Sequence, residues 1–346
     1  MTMHVALPEA VAAAPRLRMG LLPTPLEAAP NLSRLLGGPK IYFKRDDLTG
    51  QGLGGNKVRK LEFILAAAKA EGATTIVACG GYQSNMTRIT ASMAARMGLE
   101  CEIVLSGLPG ENREPIGNLL LDRLFGAKLH FYETEERWQF GDSVERLAED
   151  LRRAGKRPFV IPLGGSSPLG MASYIAATAE LLDQMREADV RASRLYVAIG
   201  SGGTFCGLTL GALNLAAPYR VTGVSVSRRA EYLYEKMPAD AAQGADFLGL
   251  AKTPGRADFD ITDDYLGAGY GEMTEACAEA IRLTAQSEGV LLDPVYSGKA
   301  MAGLIDHVRS GRIGRDESIV FLNTGGWPAL FAFDANRFVA AKAGAQ

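Results

Sequence analysis

Short continuous runs of Val, Ile and Leu recur along this chain, separated by longer stretches with apolar residues three and four apart. The runs predict strands at Ile41–Lys44, Thr75–Cys79, Cys101–Leu105, Lys128–Tyr132, Phe159–Pro162, Leu195–Ile199, Val221–Val226 and Ile319–Leu322. Many of these are continuous apolar runs, as expected of strands covered on both faces. Helices are predicted between them at Lys57–Glu71, Asn85–Met97, Ile116–Phe125, Asp142–Ala154, Leu169–Met185, Thr204–Leu215, Glu272–Glu288 and Lys299–Arg309. Regular alternation from about residue 40 onward predicts an α/β fold with parallel sheets and crossover helices. In such open sheets, ligands bind beyond the carboxyl ends of the strands.

Glycine-rich turns stand at those ends. Gly80-Gly81-Tyr82-Gln83-Ser84-Asn85 follows one strand and Gly164-Gly165-Ser166-Ser167 another; Gly200-Ser201-Gly202-Gly203-Thr204 and Thr324-Gly325-Gly326 follow two more. Four such turns exceed what connection requires, and predict one site assembled from two half-domains. Ser106–Pro115 is the expected mobile loop. Repeats and low-complexity tracts are absent from the sequence.

Composition narrows the class. The 346 residues suit about two domains. A net charge of -2 and no long single-sign run argue against nucleic acid or an acidic membrane as partner. No stretch approaches a membrane span, and Val11–Ala14 is too short for a signal peptide's apolar region. The scattered Cys79, Cys101, Cys206 and Cys277 read as reduced core thiols of a cytoplasmic protein. With His4, His130 and His307 far apart, a zinc site is not expected; Asp46 and Asp47 suggest no third ligand.

The chemistry begins at Gly54-Gly55-Asn56-Lys57. The two glycines allow close approach to a planar ligand, Asn56 can cap the helix, and Val58, Leu61, Leu65 and Ala68 form its apolar stripe. Lys57 is thereby fixed on a packed element, and an amine so placed can form a Schiff base if its pKa is lowered. Arg59 and Lys60 read as solvated or paired helix residues. Gly200–Thr204 opens a helix and suits a single phosphate, or is an ordinary strand-to-helix turn. Phe205 breaks the dinucleotide fingerprint, which argues against a nucleotide-dependent oxidoreductase. Gln83-Ser84-Asn85 can hold a carboxylate or ring oxygen, or is a plain N-cap. Trp138 and Trp327 read as packing residues, the second of which can wall the site.

The blocks GGNKVRKLE, GGYQSN, IPLGGSSPLG, GSGGTFCGL, GAGYGE, LLDPVYSGKAMAGL and NTGGWPALFAF occur in one order between about Pro23 and Phe333. Together they resemble the family of D-cysteine desulfhydrases and 1-aminocyclopropane-1-carboxylate deaminases, pyridoxal-phosphate (PLP) enzymes of the tryptophan-synthase-β fold (fold type II). The resemblance is nearer the desulfhydrase branch, because no glutamate follows Asp293-Pro294-Val295-Tyr296.

That resemblance implies two open sheets. It divides the chain into a large PLP-binding domain (1–57 and 175–346) and a small inserted domain (58–174). Lys57 would hold PLP as an imine and, once freed, move the Cα proton. Asn85 would bond the PLP 3-oxygen, and Gly200, Ser201, Gly202, Gly203 and Thr204 would cradle the phosphate. Ser84, Asn85, Met86, Gly165 and Ser166 would surround the substrate, with Ser84 sharing in proton transfer. Tyr270 and Tyr296 would flank it as acid–base or orienting groups. Ser297 and Thr324 would face the pyridine nitrogen. A neutral hydroxyl there weakens the ring as an electron sink and favours β-elimination. The implied activity is elimination from a small amino acid by a homodimer, giving pyruvate, ammonia and sulfide. The rivals are cyclopropane deamination, elimination from cysteate or chloroalanine, racemisation, and PLP binding without turnover. Met86 and Phe205 stand where the family has histidines, and Tyr82 adds an aromatic. These changes are either drift in packing or a pocket reshaped for a larger, more apolar β-substituent.

Overall fold

The computed structural model describes residues 4–135 and 139–339. In chain order the elements are α1 (Glu9–Ala13), β1 (Leu26–Ala28), α2 (Pro30–Leu35), β2 (Lys40–Arg45), α3 (Lys57–Ala70), β3 (Thr75–Gly81), α4 (Asn85–Met97) and β4 (Glu100–Gly107). Next come α5 (Gly117–Leu124), β5 (Lys128–Glu133), α6 (Ser143–Arg153), β6 (Pro158–Val160), α7 (Pro168–Glu187), β7 (Arg194–Ile199), α8 (Gly203–Asn214) and β8 (Arg220–Ser225). The last are α9 (Ala230–Phe247), β9 (Asp260–Thr262), α10 (Glu275–Glu288), α11 (Ser297–Arg309) and β10 (Ser318–Asn323).

Two sheets result. One has the order β1-β2-β10-β7-β8-β9, the other β5-β4-β3-β6. Among the described residues β1 alone runs antiparallel, against β2; the remaining pairs are parallel. Every residue of β3 is buried, as its unbroken apolar run requires. Helices α7, α8 and α9 cover one face of the larger sheet, and α10 and α11 the other. The expected domain boundaries at 57/58 and 174/175 fall inside continuous helices, α3 and α7.

All eight expected strands form. The three-residue edge strands β1 and β9 are too short to show periodicity. Helix α9, 18 residues long, escaped because Pro238 lies inside it. Proline removes an internal hydrogen bond, so in sequence it reads as a break. The third helix differs from expectation on its polar side. Arg59, Lys60 and Glu62 are buried along with its apolar stripe, so α3 lies between other elements.

Arg59 explains how this is tolerated. Its guanidinium donates to Asp46 at 2.9 Å and to Glu180 of α7 at 2.8 Å. Tyr174 donates to the other Asp46 oxygen at 2.7 Å, and Thr24 donates to Asp46 at 2.9 Å. Glu180 also pairs with Lys44 of β2. Buried charges persist only when paired and hydrogen-bonded in this way. The network ties α3, two residues past Lys57, to the large sheet and to α7. It also accounts for Asp46, while Asp47 pairs with Arg45 at 2.8 Å. The loop after β4 is tied down too: Arg113 donates to the Tyr82 hydroxyl at 3.2 Å and lies 4.9 Å over the Phe131 ring. Ser106 and Gly107, expected in that loop, belong to β4. Trp138 and part of the charged turn at 133–137 lie outside the described residues.

Candidate active site

A cavity of about 310 Å³ opens between the carboxyl ends of the two sheets. Its wall includes Lys57, Ser84, Asn85, Met86, Ser166, Gly200, Ser201, Gly202, Thr204, Tyr270, Tyr296 and Thr324. These come from all four glycine-rich turns and from both sheets, as the sequence predicts.

Lys57 is the first residue of α3, and its Nζ donates to the Gly164 carbonyl at 3.4 Å. Burial lowers its pKa to about 8, so near neutrality an appreciable fraction is the nucleophilic free amine. The glycines before it act differently from expectation. A Cβ on Gly54 would lie 2.0 Å from the Asp47 carbonyl oxygen, and one on Gly55 3.2 Å from that of Thr324. Neither lines the cavity; they let the chain squeeze past its own backbone. Asn56 is not a side-chain cap either, since its amide donates to Thr204 Oγ1 at 3.1 Å and ties α3 to α8.

Ser84 is the N-cap its sequence allowed, and it also stands at the cavity. Its hydroxyl caps α4, accepting from Met86 N at 3.2 Å and Thr87 N at 3.4 Å. Asn85 follows as the first residue of that helix. Gly202 sits at φ +98° and caps α8 with no side-chain hydrogen bond, so the helix start faces the cavity through Gly200–Gly202 and Thr204. Ser166, expected near the substrate, lines the cavity and also joins this loop. It accepts from Gly203 N at 3.0 Å and donates to Ser201 Oγ at 2.8 Å. Gly165 and Gly203 lie behind the wall, and a Cβ on Gly165 would approach Met86 Cε to 2.8 Å. The turn at 163–165 is pressed onto the loop at 201–203, and that close fit moves both glycines off the surface.

The Tyr270 and Tyr296 hydroxyls stand 2.5 Å apart at the cavity wall. Burial and the neighbouring Tyr270 raise the pKa of Tyr296, which keeps it a protonated donor. Ser297 does not line the cavity. It is buried and donates to Asp293 Oδ1 at 2.6 Å. Asp293 in turn accepts from the N–H groups of Val295, Tyr296 and Ser297, so this carboxylate is consumed in capping α11. Thr324 does reach the cavity, and among the described residues no Asp or Glu lines it.

Lys60 is a residue the sequence reading missed. It is fully buried, donates to the Gly164 carbonyl at 3.1 Å, and has its Nζ 3.0 Å from where a Gly203 Cβ would be. Burial, and then the charge of Lys57, press its pKa well below the usual lysine value. The spacing of three from Lys57, which puts both on one helix face, was the available signal. Ser227, Arg228, Tyr232 and Lys236 also line the cavity and escaped along with α9. Met86 and Phe205 are in the wall, whereas Tyr82 turns away, its ring edge-on to Phe131 at 5.5 Å. Trp327 lies outside the wall, against Phe331.

These residues fit PLP. A helix start that faces the cavity through Gly202 and Thr204, with the Lys60 amine behind it, suits a phosphate. Asn85 offers an amide donor for a ring oxygen, and Lys57 offers an amine of lowered pKa for the aldehyde.

Comparison with known proteins agrees. A model of the family described as "Pyridoxal-phosphate dependent enzyme" matches residues 17–325. The D-cysteine desulfhydrase of Salmonella typhi is 44% identical over 324 residues, which span 92% of this chain and 96% of that protein. A crystal structure described as an ACC deaminase homologue superposes with a TM-score of 0.87 at 37% identity, covering 95% of this chain and 97% of the other. A PLP-dependent aspartate racemase shares the fold alone, with a TM-score of 0.61, 16% identity, and coverage of 88% and 90%. The chain therefore belongs to the pyridoxal-phosphate-dependent enzymes, with the two-sheet fold and the cofactor that its sequence blocks implied.

Proposed function

We propose that this enzyme eliminates the β-substituent of a small amino acid, as D-cysteine desulfhydrase does, consuming water and releasing pyruvate, ammonia and sulfide. The carrying observation is the make-up of the cavity wall: an amine of lowered pKa at Lys57, a hydroxyl at Thr324, and no carboxylate among the described residues. PLP bound here would supply an electron-withdrawing ring, and with Thr324 and no carboxylate to partner its nitrogen that ring would be a moderate electron sink, which favours expulsion of a good leaving group. The 44% identity to a D-cysteine desulfhydrase supports the same reaction.

The side chains then have distinct tasks. Lys57 accepts the Cα proton on its free amine. Ser84 and the positive end of the α4 dipole orient the substrate carboxylate. The Tyr270–Tyr296 pair offers a proton to the departing thiolate. Residues 58–174, which carry the smaller sheet, form the domain that closes over the substrate and excludes water. Four buried, free cysteines support a cytoplasmic setting, and family likeness supports a homodimer.

A panel of D- and L-amino acids assayed for pyruvate and ammonia tests this, with Lys57→Ala as control. The expected result is turnover of D-cysteine, abolished in the variant together with its cofactor absorbance. Keto-acid release from none of the panel would refute it. Met86 and Phe205 in the wall favour a second reading, in which a bulkier apolar β-substituent is preferred. Higher kcat/KM for S-alkyl D-cysteines than for D-cysteine would establish that preference, and the reverse order would exclude it.

A further inference from the structure

Behind the cavity wall lies a buried polar cluster with no role so far: Asn118, Arg88, Thr87 and Asp122, all fully buried. Asn118 is the second residue of α5. Its Nδ2 donates to the Gln83 carbonyl oxygen at 2.8 Å and to Asn85 Oδ1 at 2.9 Å. Its backbone N–H donates to Gln83 Oε1 at 2.8 Å, and Gln83 Nε2 donates to the Ile116 carbonyl at 3.1 Å. The start of α5 and the loop before α4 are thus joined by reciprocal amide bonds.

The donors and acceptors leave one arrangement. A backbone carbonyl can only accept, so the Asn118 atom facing Gln83 O must be its nitrogen. That nitrogen also faces Asn85, so the Asn85 atom there must be its oxygen. Arg88, which has donors only, reaches the same oxygen at 3.4 Å and fixes its own position by donating to the Gly54 carbonyl at 3.0 Å. With Oδ1 held by two donors, the Asn85 amide is obliged to turn Nδ2 to the other side, toward Gly326, where a Cβ would lie 2.6 Å from it.

The arrangement is kept at a cost. Asn118 Oδ1 and Arg88 Nε are buried with no hydrogen-bond partner among the described residues. Flipping the Asn118 amide would set its oxygen against two acceptors, so the unpaired oxygen is the lesser penalty.

We infer that Asn118 is a positioning residue. It fixes the orientation of the Asn85 amide, so that this amide presents a donor and not an acceptor to the ring oxygen of PLP. The inference rests on the PLP reading of the site. Its consequence is that a residue in α5, without touching cofactor or substrate, sets cofactor affinity.

The test is a double-mutant cycle read by PLP titration of the apo-protein, followed by cofactor absorbance and fluorescence quenching. Asn85→Ala should weaken PLP binding about tenfold or more, the value of a hydrogen bond to a charged oxygen. Asn118→Asp is isosteric and replaces the donor by an acceptor. It should turn the Asn85 amide around, weaken PLP by at least as much, and shift the absorbance maximum of the bound chromophore. Asn118→Ala should weaken PLP in the native background and leave it within twofold in the Asn85→Ala background. Equal weakening by Asn118→Ala in both backgrounds, or native affinity and spectrum in Asn118→Asp, would overturn the inference. An unchanged affinity in Asn85→Ala would instead overturn the assignment of Asn85 itself.

Discussion

The amines of Lys57 and Lys60 converge on one acceptor, the carbonyl oxygen of Gly164, at 3.4 and 3.1 Å. Two ammonium groups so placed in a buried site repel each other, and burial penalises both. A ligand that took up one amine covalently and supplied an anion to the other would relieve both penalties.

Lys60 is expected to answer to the phosphate of PLP. Its pKa is held low by burial and then by Lys57, and a phosphate dianion on the nearby glycine loop would raise it. Cofactor binding should therefore draw a proton from solvent. Calorimetry of PLP binding in buffers of different ionisation enthalpy would read that uptake. Lys60→Met should abolish it and weaken PLP by about tenfold or more, as loss of a charge-assisted hydrogen bond does. Uptake persisting in the variant would assign the proton to another group.

Cofactor capture should depend on pH through Lys57. Its pKa is lowered to about 8, and only the unprotonated amine carries the lone pair that attacks an aldehyde. The rate at which apo-protein takes up PLP should therefore rise about tenfold per pH unit below that value and level off above it. Stopped-flow absorbance would give the profile. A midpoint near the ordinary lysine value would mean that the amine is solvated.

The Asp46–Arg59–Glu180 network should govern stability. Arg59→Ala leaves the fully buried Asp46 with its Thr24 and Tyr174 hydrogen bonds but without its cation. The cost expected for breaking such a buried pair is about 3–5 kcal/mol. Urea unfolding of the apo-protein would measure it, and a loss below about 1 kcal/mol would place the pair with weak surface bridges.

Ser84 combines a cap with a cavity hydroxyl, and two substitutions separate them. Alanine at an N-cap costs about 1 kcal/mol of stability, glycine only a few tenths. Ser84→Gly should keep the thermal midpoint near native while kcat/KM falls by about a hundredfold, as loss of a proton-transferring group does. Activity that tracks stability across both variants would leave Ser84 as a cap alone.

Much of this protein was legible in order of residues. Most of the eight main strands announced themselves through apolar runs, since a strand covered on both faces has little use for polar residues; β5, with Lys128 and His130 and no fully buried residue, is an exception. Glycine turns at their ends marked the site, because in parallel sheets connections and ligands share that edge. Lys57, Ser84, Asn85, Tyr270, Tyr296 and Thr324 all reach one cavity, as the sequence blocks implied.

Other features were decided by tertiary contact. Periodicity reports how much apolar surface a helix carries, and is blind to ion pairs that let charged residues be buried. Arg59 and Lys60 therefore read only as solvated or paired helix residues, and their burial is decided by Asp46, Glu180 and the Gly164 carbonyl, distant in sequence. Ser297 looked free to face the cofactor until Asp293 took its hydroxyl. Local pattern in the sequence determined the strands and the glycine turns that edge the site, and the resemblance of its blocks gave the cofactor's class. Which polar groups face the cavity and which are spent inside the protein was settled only by folding, because a hydrogen bond's partner is chosen by distance in space.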